Sequence, residues 1–416
     1  MIADLVAALP RTTRESLTLF GHNGHLEGEQ YLCLRRQPAH AFSPGEQVQV
    51  SQFILPQVRH TLPVLAAQLP GQWGYVAGVN GKGVAVGVTA TRTRLAPAEP
   101  ALAGTDLVRL VLERSSSARQ GVDVLTDLIS RYGQGASSQA SDSFAAGNSL
   151  LVADGQEAHV VEAADRHWVL HTIEQTRAVS NFCLLHQDWN RIARGLAEVV
   201  LERGWWPGDG SKLDFAATLG CPDDRNAGLP RWGRATLLLE QHSGDLDLAC
   251  FRRLLRDHGE GPPRADHAAG LCRHAAHGTL QTAGSLIAAL PSGPEEIPLV
   301  WWAFGPPCRS VYLPVTFHGS LPRAWTEEAT SARAIPALQE KLRGRLGDPL
   351  EYRKTVRSFE LLLDELACEF TSEAASLGQR QATSELESLG QSFLEHTLER
   401  LENLIPAAVE PTTGEW

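Results

Sequence analysis

Fifteen histidines and seven cysteines supply the candidate metal and acid–base chemistry of this 416-residue chain. His22 and His25 would need a third histidine to hold a zinc ion, and two histidines three apart near a strand end arise readily by chance. A denser set is Asp266, His267, Cys272, His274 and His277, which brings together the imidazole, thiolate and carboxylate types that zinc accepts. A loop or strand-edge role is the simpler reading of that set, so no metal and no cofactor are expected. Gly81-Lys82-Gly83 is not a dinucleotide signature, because no Gly-x-Gly-x-x-Gly leads from a strand into a helix there. Trp205-Trp206 and Trp301-Trp302 are two aromatic pairs on which a flat ligand could stack. Core packing is their expected use, since a buried tryptophan removes a large apolar area from water.

The elements that must position these residues begin with strands. Residues 3–9 and 17–22 read as short strands on either side of a turn from Pro10 to Ser16, and 73–91 as two strands joined at Asn80-Gly81-Lys82-Gly83. The Asn-Gly pair suits such a hairpin because both residues tolerate positive φ. Residues 105–114 and 118–132 are helical by periodicity, the second with Val122, Leu125, Leu128 and Ile129 on one face. Strands return at 149–153, 158–163, 167–173 and 177–183, and this order of hairpins, helices and further strands implies a sheet-rich α+β core. Residues 189–260 read as mainly helical, with loops rich in Gly, Pro and Asp between 204 and 233 and a break at Gly261-Pro262-Pro263. Beyond about residue 322 the pattern is helical at 334–346, 351–370 and 384–405. In the last helix Leu394, Leu398, Leu401 and Ile405 share a face, which is expected to pack on the main body rather than to join subunits. The organisation expected is a main domain over 1–321, a helical region over 322–405 packing on it, and a loose tail over 406–416.

With 43% hydrophobic residues the chain can bury a large core, and its formal net charge of -11 argues against general binding to nucleic acid or an anionic membrane. Cys33, Cys183, Cys221, Cys250, Cys272, Cys308 and Cys368 are an odd set without a Cys-x-x-Cys pair, the usage of reduced thiols and hence of a cytoplasmic protein. The apolar stretch from Leu5 to Leu9 has Asp4 ahead of it and no basic region, which does not fit a signal peptide, and no run reaches transmembrane length. A homo-oligomer is a further expectation.

Asp4-Leu5-Val6-Ala7-Ala8-Leu9-Pro10 is followed in order by Leu19-Phe20-Gly21-His22-Asn23, by the 78–85 segment, by Gly104-Thr105-Asp106-Leu107-Val108-Arg109 and by Tyr132-Gly133-Gln134-Gly135. Asn148-Ser149-Leu150, Val179-Ser180-Asn181, Gly204-Trp205-Trp206, Leu255-Arg256-Asp257-His258, Cys272-Arg273-His274 and Gln281-Thr282-Ala283-Gly284-Ser285 come next. Over roughly residues 3–320 this series resembles the secernins, cysteine dipeptidases of the N-terminal-nucleophile hydrolase superfamily. The resemblance implies an αββα sandwich of two antiparallel sheets between helical layers, with a helical C-terminal extension. It also implies that Cys272-x-His274 is a structural feature.

In that family the residue before this aspartate is the cysteine that becomes the first residue of the mature chain. Its thiolate attacks the amide while its own α-amino group shuttles the proton. Here the position is Ala3, preceded by Met1-Ile2, whose bulk should discourage removal of the methionine. A slipped alignment with Thr12 or Thr13 as nucleophile conflicts with the distance from Ala3 to Gly21, which is the spacing the family keeps. A cysteine replaced in an otherwise intact site conflicts with further changes. Where secernins carry a cation and then an acid after this glycine, the chain has His22 and His25, and an imidazole with a pKa of about 6.5 does not replace a permanent cation. The oxyanion-donor position holds Thr89, whose hydroxyl can still donate. Asn181 matches, and Arg231 is the candidate for the distal arginine of related acylases. The resemblance therefore implies a retained pocket for a small peptide or amide ligand, with Asn80, Thr89, Asn181 and Arg231 as ligand contacts and with hydrolysis lost. The alternatives are an amide hydrolase whose nucleophile was replaced or is unrecognised, and a structural partner acting through its C-terminal helices.

Overall fold

The computed structural model describes residues 2–28, 30–97, 100–135, 144–259, 269–274, 280–293, 296–326, 334–380 and 382–407. Strand β1 (Ile2–Ala8) pairs antiparallel with β2 (Thr18–Glu27), which sets Ala3 opposite Gly24 and Asp4 opposite Asn23. β2 runs past the expected end at residue 22 because β16 (Leu280–Leu290), far along the chain, pairs with its whole length. Thr12 and Thr13 lie in the connecting turn, where their hydroxyls bond the carbonyls of Leu9, Pro10 and Leu17.

After β3 (Cys33–Gln37) come β4 (His40–Ala41), β5 (Gln47–Val50), β6 (Phe53–Pro56) and β7 (His60–Thr61), with the β5–β6 hairpin nested inside the β4–β7 ribbon. Strands β8 (Val64–Gln68), β9 (Ala77–Asn80) and β10 (Ala85–Thr93) lead into helices α1 (Gly104–Arg114) and α2 (Ala118–Tyr132). In the β9–β10 turn the left-handed residue is Gly83 (φ 76°), not Asn80 or Gly81 as the Asn-Gly pair implied. The α2 face expected from periodicity is the buried one. Next are β11 (Ala145–Ala153), β12 (Ala158–Ala164), β13 (His167–Ile173), β14 (Thr176–Val179) and β15 (Arg191–Ile192). β14 stops at Val179, short of the expected 183, so Ser180 and Asn181 turn out of the sheet.

Four helices follow, α3 (Leu196–Glu202), α4 (Phe215–Leu219), α5 (Pro222–Gln241) and α6 (Leu248–Leu255). The start of α5 occupies sequence expected to be loop. Its Pro222 at the first turn needs no amide partner, and Asp223 and Asp224 suit the positive end of the helix dipole. The chain ends in β16 (Leu280–Leu290), β17 (Leu299–Phe304), β18 (Leu313–Val315) and helices α7 (Ala334–Leu346), α8 (Pro349–Gln379) and α9 (Thr383–Ala407). The Gly261-Pro262-Pro263 break and most of the expected tail lie outside the described residues.

One sheet has the order β14-β1-β2-β16-β17-β18 and the other β15-β13-β12-β11-β10-β9-β8-β3, and every pairing is antiparallel. Alternation along the strands explains how they stack. Leu5, Ala7 and Phe20 face Leu65, Leu151 and Val160 between the sheets, whereas Val6 and Ala8 on the opposite face of β1 meet Ala235, Phe251 and Leu254 of α5 and α6. Val86, Val88 and Val152 on the outer face of the second sheet pack under Leu107, Val111 and Leu125 of α1 and α2. Three apolar interfaces between four layers make an αββα sandwich, the arrangement the resemblance implied.

Candidate functional site

β1 presents two faces, and the residues singled out in the sequence divide between them. Ala3 is fully buried, and its backbone N–H donates to Thr89 Oγ1 of the facing sheet at 2.9 Å. Its neighbour Asp4 shares the other face of the strand with Val6 and Ala8, toward α5 and α6. There Asp4 becomes the hub of a closed polar cluster. Arg231 of α5 donates from Nε to both Asp4 oxygens at 3.1 and 3.0 Å, Ser180 donates to Oδ1 at 2.6 Å, and His25 Nε2 lies 2.9 Å from Oδ2. Arg231 Nη2 also bonds Ser180 Oγ at 3.0 Å and the side-chain oxygen of Asn181, and its Nη1 bonds the Ala227 carbonyl at 2.8 Å.

Protons can be assigned through the cluster. The Thr282 hydroxyl accepts from the Arg273 N–H at 2.8 Å and so can give its own proton to His25 Nδ1 at 3.2 Å. His25 is then neutral with its proton on Nε2, directed at Asp4. Burial lowers the His25 pKa and outweighs the hydrogen bond and charge of Asp4, which raise it. Burial alone would raise the Asp4 carboxyl, but the Arg231 guanidinium, then His25 and Ser180, hold it well below the usual carboxylate range. Asp4 is therefore a fixed anion and a poor proton acceptor, so it does not activate the Ser180 hydroxyl for attack.

His22 and His25 are three positions apart on β2, so they project from opposite faces of the strand and do not converge on one ion. His22 is fully buried, and neither ring nitrogen has a hydrogen-bond partner among the described residues. Asn80 does not join the cluster. Its amide donates to the carbonyls of Leu112 and Ser115, and its Oδ1 accepts from the N–H groups of Lys82 and Val84, which uses the whole side chain to lock the β9–β10 turn to the end of α1. The Trp301 and Trp302 side chains are buried in the core, and Trp205 and Trp206 are half-buried against it.

Ala3 and Thr89 thus meet between the two sheets, whereas Asn181 and Arg231 join Asp4 on the other face of β1, and all four are sealed, at most 5% exposed. Asp4 and Ser180, which carry the cluster, appeared in the sequence only as parts of motifs, because nothing local reveals that a residue 227 positions away supplies the cation. A recess of about 330 Å³ adjoins the cluster through Phe182 and Trp232, the chain neighbours of Asn181 and Arg231, and Arg177, Asp188 and Arg225 charge its wall. Of the second candidate set, Asp266, His267 and His277 lie outside the described residues. Cys272 and His274 are found instead with His258 and Cys308.

A sequence profile of Peptidase family C69 matches residues 57–175, less than a third of the chain, from the approach to β7 through β13. Ala3, Asn181 and Arg231 fall outside that span. Among solved structures, penicillin V acylase from Agrobacterium tumefaciens is similar over 75% of this chain and 86% of that one, at 11% identity and a TM-score of 0.40. A variant of conjugated bile acid hydrolase from Clostridium perfringens is similar over 72% and 89%, at 12% identity and a TM-score of 0.41. The Caenorhabditis elegans ortholog of N-acylethanolamine-hydrolyzing acid amidase is similar over 68% and 91%, at 11% identity and a TM-score of 0.33.

Proposed function

We propose that this protein is a secernin-like homologue of cysteine dipeptidases that no longer hydrolyses amides. The observation that carries the reading is the surroundings of Ala3. A methyl group stands where the resemblance calls for a thiol, and the adjoining peptide N–H is engaged by Thr89 in a sealed interior. An alanine has no lone pair with which to attack a carbonyl, and the neighbouring carboxylate is locked to Arg231. Similarity to Peptidase family C69 over residues 57–175 supports descent from an amide-cleaving framework.

In this reading the protein serves as a scaffold or binds a dipeptide-like ligand in the recess beside Phe182 and Trp232. Arg225 would meet the ligand's carboxylate there and Asp188 its ammonium group. A cytoplasmic location, with neither nucleic acid nor membrane as partner, belongs to the same reading and rests on the net charge of -11 and the scattered cysteines.

The test is hydrolysis of a dipeptide panel by the purified protein, beside an Ala3→Cys variant whose mature first residue is checked by mass. No turnover by the parent is expected, and steady turnover by it would overturn the proposal. Activity in the variant alone would show that only the thiol is missing, and silence in both would show that the substitutions around His22 and His25 have dismantled the site as well.

A further inference from the structure

Behind the Asp4 cluster, four potential metal ligands meet from three separate parts of the chain. His258 follows the end of α6, Cys272 and His274 lie on the segment approaching β16, and Cys308 sits in the 3-10 turn between β17 and β18. Their ligand atoms all lie within 4.8 Å of one another. His274 Nε2 is 3.0 Å from His258 Nε2, 3.2 Å from Cys308 Sγ and 3.8 Å from Cys272 Sγ.

That convergence is hard to satisfy with protons. An imidazole nitrogen has either one hydrogen or one lone pair, so His274 Nε2 can make one good hydrogen bond and not three. A cation at the centre would instead accept one lone pair from each of the four groups. With zinc–nitrogen bonds of about 2.0–2.1 Å and zinc–sulfur bonds of about 2.3 Å, the ligand atoms of a tetrahedral site stand roughly 3.3–3.8 Å apart, close to the three separations measured from His274 Nε2. Cys272 is buried and the other three ligands are half-buried. Two thiolates and two neutral imidazoles would balance the ion's charge, and the nearby Arg256 is already neutralised by Glu360.

We propose that His258, Cys272, His274 and Cys308 bind one zinc ion in a closed, structural site. Soft thiolates with imidazoles in a tetrahedral set select zinc over magnesium or calcium, and four protein ligands leave no position for substrate. The ion would pin the end of α6 and the turn after β17 to the 271–274 segment. That segment also serves the Asp4 cluster, since the Leu271 carbonyl accepts from Asn23 and the Arg273 N–H holds Thr282 against His25. Neither the geometry nor the test depends on whether the protein hydrolyses amides.

The full-length protein, purified under reducing conditions, is assayed for zinc by mass spectrometry of the elements. It is then stripped with a chelator and titrated with cobalt(II). One zinc per chain is expected, with a cobalt spectrum showing thiolate charge transfer and tetrahedral ligand-field bands. Cys308→Ser and Cys272→Ser should lose most of the metal, whereas Cys368→Ser, at an exposed position on α8, should keep it. The cobalt titration of the unsubstituted chain decides the matter if a variant fails to fold. Absence of zinc together with no thiolate–cobalt band would overturn the proposal. So would undiminished zinc in both cysteine variants, or a Cys272–Cys308 disulfide in metal-free protein.

Discussion

His22 is the residue whose side chain and surroundings fit least. Its ring is fully buried, both nitrogens lack partners among the described residues, and burial together with the neighbouring His25 holds its pKa at about 3 against the pull of Asp4. The unfolded chain takes up this proton near pH 6.5 while the folded protein refuses it. The His22 titration therefore costs nothing at neutral pH and destabilises the fold increasingly as pH falls from about 6.5 toward 3, by on the order of a few kcal/mol. Glu162 slopes the other way. Burial raises its carboxyl to about 7 against the hydrogen bonds of the Leu184 and Leu185 N–H groups, so its contribution is lost as pH rises from the unfolded value through about 7. The difference between parent and variant, rather than the parent curve, isolates His22. His22→Leu should raise stability at pH 7 by about 1–2 kcal/mol, because it removes two unpaired buried polar atoms. Its advantage should widen as pH drops below 6.5. Urea melts of both proteins between pH 4.5 and 7.5 read this directly, and parallel curves would show that His22 is solvated or protonated in the fold.

At the scale of elements, α5 decides whether Arg231 reaches Asp4. It crosses β14 and β1, and Gly228 makes the approach possible: a Cβ there would stand 2.5 Å from Phe182 Cδ1 and 3.2 Å from Asn181 Oδ1. Gly233, later on the same helix, has nothing within 4 Å of its would-be Cβ. Gly228→Ala should therefore destabilise by about 1–3 kcal/mol through overpacking, while Gly233→Ala should stabilise by about 0.5–1 kcal/mol through helix propensity. Chemical denaturation of the two variants tests the contrast, and equal effects would mean that α5 does not pack as closely as described. The same glycines explain what the sequence hid. α2 and the β12–β13 hairpin were legible because their apolar residues recur at 3.6 or 2 positions, and those periods record which face is buried. Gly228, Pro222 and Pro230 carry ordinary loop signals, so residues 204–233 read as loop although α5 begins at 222. Gly228 is there for contact and Pro222 for a helix start, distinctions that only tertiary packing makes. The Asp4–Arg231 pair was illegible for the same reason, as was the meeting of His258 and Cys308 with Cys272 and His274. Each joins residues whose nearness is created by the sheet order.

At the scale of the molecule, the question is whether the three C-terminal helices are an appendage. Tyr352, Val356, Phe359, Leu363 and Phe370 of α8, with Phe393, Leu394 and Leu401 of α9, belong to the same apolar cluster as Trp302, Phe304 and Leu313 of the first sheet. Polar contacts run the same way. Glu360 of α8 accepts from Arg256 and from the Tyr312 N–H, and Asp364 takes both Nη groups of Arg252 on α6 at 2.7 Å. Each buried Leu, Val or Phe side chain is worth about 1.5–3 kcal/mol relative to exposure, so exposing their partners on the sheet threatens a loss on the order of 10 kcal/mol. That is comparable to the whole stability of a typical domain, about 5–15 kcal/mol. A chain ending after residue 326 should therefore lose its cooperative unfolding transition and the near-ultraviolet signal of its buried tryptophans, and should self-associate through the uncovered edge beside β18. If the helices served only to join subunits, the truncated chain would instead remain folded and become monomeric. Near-ultraviolet circular dichroism with light scattering separates the outcomes, and a native-like, monomeric, cooperatively melting product would show that these helices lie outside the cooperative core.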